Sequence, residues 1–212
     1  DPSCPDAEDC EAGDGVCGVF CEGPFAEGSP CPEAVACIDS SGHCELPAEF
    51  VSIGNFAFDG TDSLTSLTIH DAVIAIGVFA FRRTGLTSIV IPDLVAEIPE
   101  GAFYQVQSLE SVTIGSGVTA IGYRAFYDSG LTSLVLPDSV TELGVQAFSS
   151  IQSLTSLSIG AGITTIPDQA FRYAGVTSVV IPDTVTQIGH YSFEGTDAAS
   201  ITIGSGITTI PS

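Results

Sequence analysis

The sequence predicts a repeat solenoid, a β-rich coil of about seven units of 22 or 23 residues behind a disulfide-rich N-terminal segment. Two observations predict the coil and a third sets off the segment. Phenylalanine recurs at positions 58, 81, 103, 126, 148, 171 and 193, with gaps alternating between 23 and 22. Self-similarity at a fixed period of this size is the mark of stacked coils, in which each unit buries its apolar face against its neighbours. Between the phenylalanines, aliphatic residues alternate with small polar ones, as on a short strand with one face inward. All seven cysteines lie in the first 44 residues, outside the repeat.

The expected division is a Cys-rich acidic segment over 1–49 and a solenoid over 50–212. The first segment is rich in Gly, Pro and Cys, and residues 1–50 hold 12 carboxylates with no Lys or Arg. It contains a duplication at an offset of 27. Cys4, Cys10 and Cys17 recur as Cys31, Cys37 and Cys44, while Cys21 has no mate because Ala48 stands at its offset. There is no CxxC pair and only His43 lies near, so zinc-ligand spacing is missing. Disulfides in a secreted chain are the reading that remains. Seven is odd, so one Cys is left unpaired within the chain. The segment reads as two small cystine-stapled turns, too short to bury a core alone. Asp6, Glu8, Asp9 and Asp14 do not keep EF-hand spacing and read as a solvated acidic surface.

Each coil position has a physical reading. Leu64, Leu67 and Ile69, or Leu131, Leu134 and Leu136, point inward from one strand. A second inward pair follows, such as Val118 with Ile121 or Val185 with Ile188. The phenylalanine column stacks down the interior; its lockstep with the repeat makes it core rather than a ligand-stacking box. Gly115, Gly117, Gly160, Gly162, Gly204 and Gly206 are expected to supply turns needing positive φ. Pro92, Pro137 and Pro182 end strands in alternate coils. Asp93, Asp138 and Asp183, 45 residues apart, are expected to hydrogen-bond in turns rather than hold metal.

The segments LTSLVLPDSVTELGVQAF (131–148) and GVTSVVIPDTVTQIGHYSF (175–193) resemble the BspA-like, Treponema-type leucine-rich repeat family. The resemblance covers about 51–212. It implies a leucine-rich-repeat coil and, by family habit, adhesion or partner binding at a surface rather than catalysis. The Cys-rich segment inherits nothing from it.

The outward strand positions form the candidate binding surface. Ser66, Ser88, Ser111, Ser133, Ser156, Ser178 and Ser200 make an unbroken column. Two residues on stand Thr68, Val90, Thr113, Val135, Ser158, Val180 and Thr202. Rungs of such a stack lie about 4.8 Å apart. The strip reads equally well as a docking surface for a protein, a glycan or further copies of this chain, and as the small residues that a tightly curved face requires.

Reactive constellations are missing. The sequence holds no HExxH, GxSxG, GxGxxG or CxxC pattern. His43, His70 and His190 lie far apart, and the latter two read as solvated loop residues. Asn55, the only Asn, is followed by Phe56 and Ala57, so there is no N-glycosylation sequon. No catalytic residue, metal or cofactor is expected. The formal net charge of −22 disfavours nucleic acid and anionic lipid as partners. No stretch approaches the roughly 20 apolar residues of a membrane span.

These features predict a non-catalytic extracellular or cell-surface binding module. The alternative is a structural subunit of a filament or coat. The sequence ends part way through a coil, at Ile207-Thr208-Thr209-Ile210-Pro211-Ser212. Head-to-tail contact onto the Cys-rich segment of a second copy would give an open polymer, which the odd Cys could crosslink. Ice binding ranks last, because Val interrupts every second rung of the strip.

Overall fold

The structure, a computed structural model, describes residues 37–208. The expectations for Cys4, Cys10, Cys17, Cys21 and Cys31, for the acidic stretch at 6–14 and for the last four residues lie outside the described residues.

Strands form in two series, numbered together along the chain. The first comprises β1 (His43–Glu45), β3 (Ser66–Thr68), β5 (Ser88–Val90), β7 (Ser111–Thr113), β9 (Ser133–Val135), β11 (Ser156–Ser158), β13 (Ser178–Ile181) and β15 (Ser200–Ile203). The second comprises β2 (Ser52–Ile53), β4 (Ala75–Ile76), β6 (Glu97–Ile98), β8 (Ala120–Ile121), β10 (Glu142–Leu143), β12 (Thr165–Ile166) and β14 (Gln187–Ile188). Each strand pairs in parallel with the equivalent strand one coil away, so Ser133 faces Ser156 and Ile98 faces Ile121. Where the ladder thins between β3 and β5, the Thr87 N–H still reaches the Thr65 carbonyl at 3.1 Å. Two parallel ladders therefore run along the molecule, and a tight bend carrying the phenylalanine closes each coil on the third side. The described residues contain no helix, and so none long and apolar enough to cross a membrane.

The core is a set of columns. Phe58, Phe81, Phe103, Phe126, Phe148 and Phe171 are fully buried, and Phe193 at the end is half-buried. Neighbouring rings lie parallel, with centroids 5.0 Å apart at the closest (Phe103–Phe126) and 5.6 Å at the widest (Phe148–Phe171). Leu64, Leu86, Leu109, Leu131 and Leu154 form a second fully buried column. Burying one such side chain contributes roughly 1.5–3 kcal/mol, and ring contacts add about 0.5–1.5 kcal/mol per pair. No coil encloses its own phenylalanine, so this stabilisation belongs to the stack.

Three expectations change. First, the ladder begins on the far side of the boundary drawn at 49/50. His43 pairs with Ser66, Cys44 with Leu67 and Glu45 with Thr68. Cys44 is fully buried in the core and is disulfide-bonded to Cys37. A cysteine here takes the place of the inward leucine, so the leucine pattern does not reveal the first rung. The two-domain division itself remains a proposal. Second, the paired glycines serve close approach rather than left-handed turns. The left-handed glycines of the described residues are Gly42, Gly60, Gly101 and Gly195. A Cβ at Gly117 would run into the Asp93 carbonyl oxygen of the preceding coil. Third, the aspartates after proline bond between coils. Oδ1 of Asp93, Asp138 and Asp183 accepts the backbone N–H of Ser116, Ala161 and Ser205 in the next coil, at 2.6, 2.7 and 2.7 Å. The 45-residue double repeat follows: a coil that offers an aspartate alternates with a glycine-rich coil that lets it come near.

Candidate interaction surface

The first ladder places the predicted strip in one line. Ser88, Ser111, Ser133, Ser156, Ser178 and Ser200 are exposed, and Ser66 is half-buried. In the parallel column Val90, Val135 and Val180 are 60–65% exposed, and Thr68, Thr113, Ser158 and Thr202 are also exposed. An exposed valine at every second rung is a choice that burial does not explain. The strip also extends one rung further than the serine column reveals, to His43 and Glu45. His43 Nδ1 lies 2.8 Å from Ser66 Oγ. The signal for this rung was present in the sequence, since His43 stands 23 residues before Ser66.

Threonines beside the strip tie its coils together. Thr87 Oγ1 donates to the Thr65 carbonyl, Thr132 to Glu110 and Thr155 to Thr132, at 3.4, 3.2 and 3.3 Å. Each bond joins one coil to the coil before it. A surface held in this way meets a partner without losing much conformational entropy.

A second surface, not foreseen from the sequence, lies along the bends. Counting from each stacked phenylalanine, the residues two before and two after it have positive φ. Before it stand Phe56, Phe79, Gly101, Arg124, Gln146, Gln169 and Tyr191. After it stand Gly60, Arg83, Gln105, Asp128, Ser150, Tyr173 and Gly195. The cause is hydrogen bonding. In every bend but the last, these residues and the phenylalanine between them send their N–H along the axis to the next coil, as from Arg83 to the Tyr104 carbonyl at 3.0 Å. The residues in between donate within their own bend, as from Tyr104 to the Gly101 carbonyl at 2.9 Å. The left-handed conformation turns the N–H outward along the stack. It costs a non-glycine residue about 1–2 kcal/mol, yet the chain places glycine at only three of these fourteen positions.

Side chains on the bends bond from coil to coil. Asp59 and Arg82 form a buried bidentate pair at 2.7 and 2.5 Å, with the guanidinium over the Phe56 and Phe79 rings. Arg172 pairs with Glu194 at 2.6 Å and lies over Tyr173. Arg83 donates to Gln105 Oε1 at 2.9 Å and Arg124 to Gln146 Oε1 at 2.5 Å. Gln146 in turn donates to Gln169. Tyr104 and Tyr127 stack with centroids 5.1 Å apart.

Histidine positions offer no cluster. His70 Nε2 contacts the Pro47 carbonyl at 3.1 Å, and the His190 N–H donates to Asp168 Oδ1 at 2.7 Å. No group of three metal-ligating side chains occurs among the described residues. Two exposed carboxyls sit below the usual carboxylate range. The Ser41 hydroxyl, with backbone N–H groups, holds Asp39 there, and the Ser205 backbone and hydroxyl hold Asp183.

Parallel ladders, a buried ring spine and an exposed repeat surface define the class: a β-solenoid of the leucine-rich-repeat kind. The profile described as BspA type leucine rich repeat region matches residues 36–155 and 143–212, in six copies. The chain belongs to that family. Among solved structures, a leucine-rich repeat protein from Bacteroides ovatus is 26% identical with a TM-score of 0.74, covering 78% of this chain and 46% of its own. The T. pallidum leucine-rich repeat protein TpLRR is 25% identical with a TM-score of 0.58, covering 76% and 72%. The pneumococcal vaccine antigen PcpA shares the fold at 20% identity and a TM-score of 0.55, covering 76% and 40%. This chain thus spans less than half the length of the Bacteroides protein. No match is found among curated proteins.

Proposed function

We propose that this chain is a non-catalytic binding or adhesion module acting outside the cell or at its surface. It docks a protein or glycan on the Ser/Thr/Val strip of the first ladder. The carrying observation is the exposed, uncharged column that keeps register from Ser66 to Ser200. Membership in a repeat family whose habit is partner binding supports the reading, and the Cys37–Cys44 disulfide supports an oxidising location. The test is to screen the chain and its Ser133→Arg/Ser156→Arg variant on glycan and protein arrays. A ligand that the variant binds at least tenfold more weakly is expected. No ligand on either array, or equal binding by the variant, would overturn the reading.

A further inference from the structure

All five tyrosines and all four arginines of the chain stand within three residues of a stacked phenylalanine. The strip on the first ladder has none of them. Composition therefore separates two surfaces of one repeat. One is small and uniform, and the other carries the residue types that concentrate binding energy at protein interfaces. The fold does not demand this. At the left-handed positions glycine is the default, and the chain is rich in it, yet Arg83, Gln105, Arg124, Gln146, Tyr173 and Tyr191 stand there. Strained positions that keep long side chains concentrate at functional surfaces.

The surface is also pre-organised. Gln105 and Gln146 accept from Nε of Arg83 and Arg124 and so fix both guanidinium planes. Arg124 lies over Tyr123 and Tyr127 at 4.9 and 5.3 Å. Arg82 and Arg172 are neutralised by Asp59 and Glu194, whereas Arg83 and Arg124 have no carboxylate within salt-bridge distance among the described residues. Their guanidinium groups are therefore the ones on this edge that a partner's carboxylate can still pair with. The Tyr and Arg side chains gathered here are the types that carry binding energy at protein interfaces, so a polypeptide is the match.

We propose that the bend edge centred on Arg83 and Arg124 is a protein-docking surface, distinct from the strip, that takes a segment bearing Asp or Glu carboxylates. It does not depend on the strip being a binding site. The probe is a phage-displayed library of 12-residue peptides panned on the whole chain. The comparison variants are Arg83→Asn/Arg124→Asn on the edge and Ser133→Arg/Ser156→Arg on the strip. Asn tolerates the left-handed conformation, so the edge variant should stay folded, which its thermal unfolding transition checks; Arg83→Asn alone, at an exposed site, serves as a second variant. Expected are enriched acidic peptides that bind the edge variants at least tenfold more weakly and the strip variant equally well. Three results would overturn the proposal. They are no acidic enrichment, peptides whose affinity ignores the edge variants, or a glycan on an array whose binding requires Arg83 or Arg124. Peptides that depend only on the strip would overturn it while leaving the strip reading intact.

Discussion

The first ladder and the bend edge are built from the same repeat, yet they solve the stacking problem in opposite ways. On the ladder, extended backbone sends N–H and C=O sideways to the next coil, and the side chains are free to be small. Ser, Thr and Val suffice because the pleat does the work. On the bend, the chain must reverse within a few residues and still bond along the axis. It does so by left-handed residues on either side of the buried phenylalanine, at positions such as Arg124 and Asp128. The ladder is uniform from coil to coil, and the bend varies from coil to coil. Variation at constant backbone geometry means that the bend side chains are not dictated by the fold. That difference leaves the bend side chains free to vary, which is what the proposed docking edge requires.

The comparison can be broken at the spine first. Phe126 is fully buried and stacks on Phe103 and Phe148, so both surfaces depend on it. Phe126→Ala should cost about 3–5 kcal/mol, as large-to-small changes of buried aromatic residues do. Denaturant unfolding measures this, and a cost below about 1 kcal/mol would mean that the rings are not a continuous packed column.

Strain on the bend gives a smaller effect of opposite sign. Ser150 has φ of 66°. Ser150→Gly relieves roughly 1–2 kcal/mol of left-handed strain and adds about 0.5–1 kcal/mol of backbone entropy cost. Stability should be unchanged or higher by up to about 1.5 kcal/mol. The same change at Ser133 on the ladder should only destabilise, because extended backbone gains nothing from glycine. If the two substitutions behave alike, the contrast between the surfaces fails.

The smallest effect is pH-dependent and belongs to the turns beside the ladder. Asp183 is exposed, and its folded pKa lies below the ordinary value because the Ser205 N–H and hydroxyl bond the charged form. A group with a depressed folded pKa contributes stability that is present above the unfolded pKa and lost as pH falls through the folded one. The chain should therefore lose part of its thermal midpoint on acidification, and Asp183→Asn should lose slightly less between pH 7 and the acid range. An Asp183→Asn midpoint that falls as steeply as that of the unsubstituted chain would show that this bond carries no measurable linkage.

Much of the architecture was legible beforehand. The spacing of Phe58 through Phe193 identified the coil and its core because a solenoid requires one large apolar group at the same place in every turn. The serine column was legible for the same reason, since a period-2 strand displays its outward residues at fixed offsets. The first rung at His43 escapes the leucine pattern because Cys44 fills the leucine position, although His43 keeps the 23-residue offset from Ser66. The role of Gly117 was hidden because close approach and positive φ both select glycine, and only the position of the Asp93 carbonyl separates them.

By itself, then, the sequence determined the repeat, the buried columns and the outward strip, because these follow from periodicity along one chain. The tertiary structure alone decided the backbone conformation of the bends and the coil-to-coil aspartate bonds. Those depend on where the next coil's carbonyls and rings lie, about 23 residues away in sequence and one strand spacing away in space. No local pattern of residues carries that information.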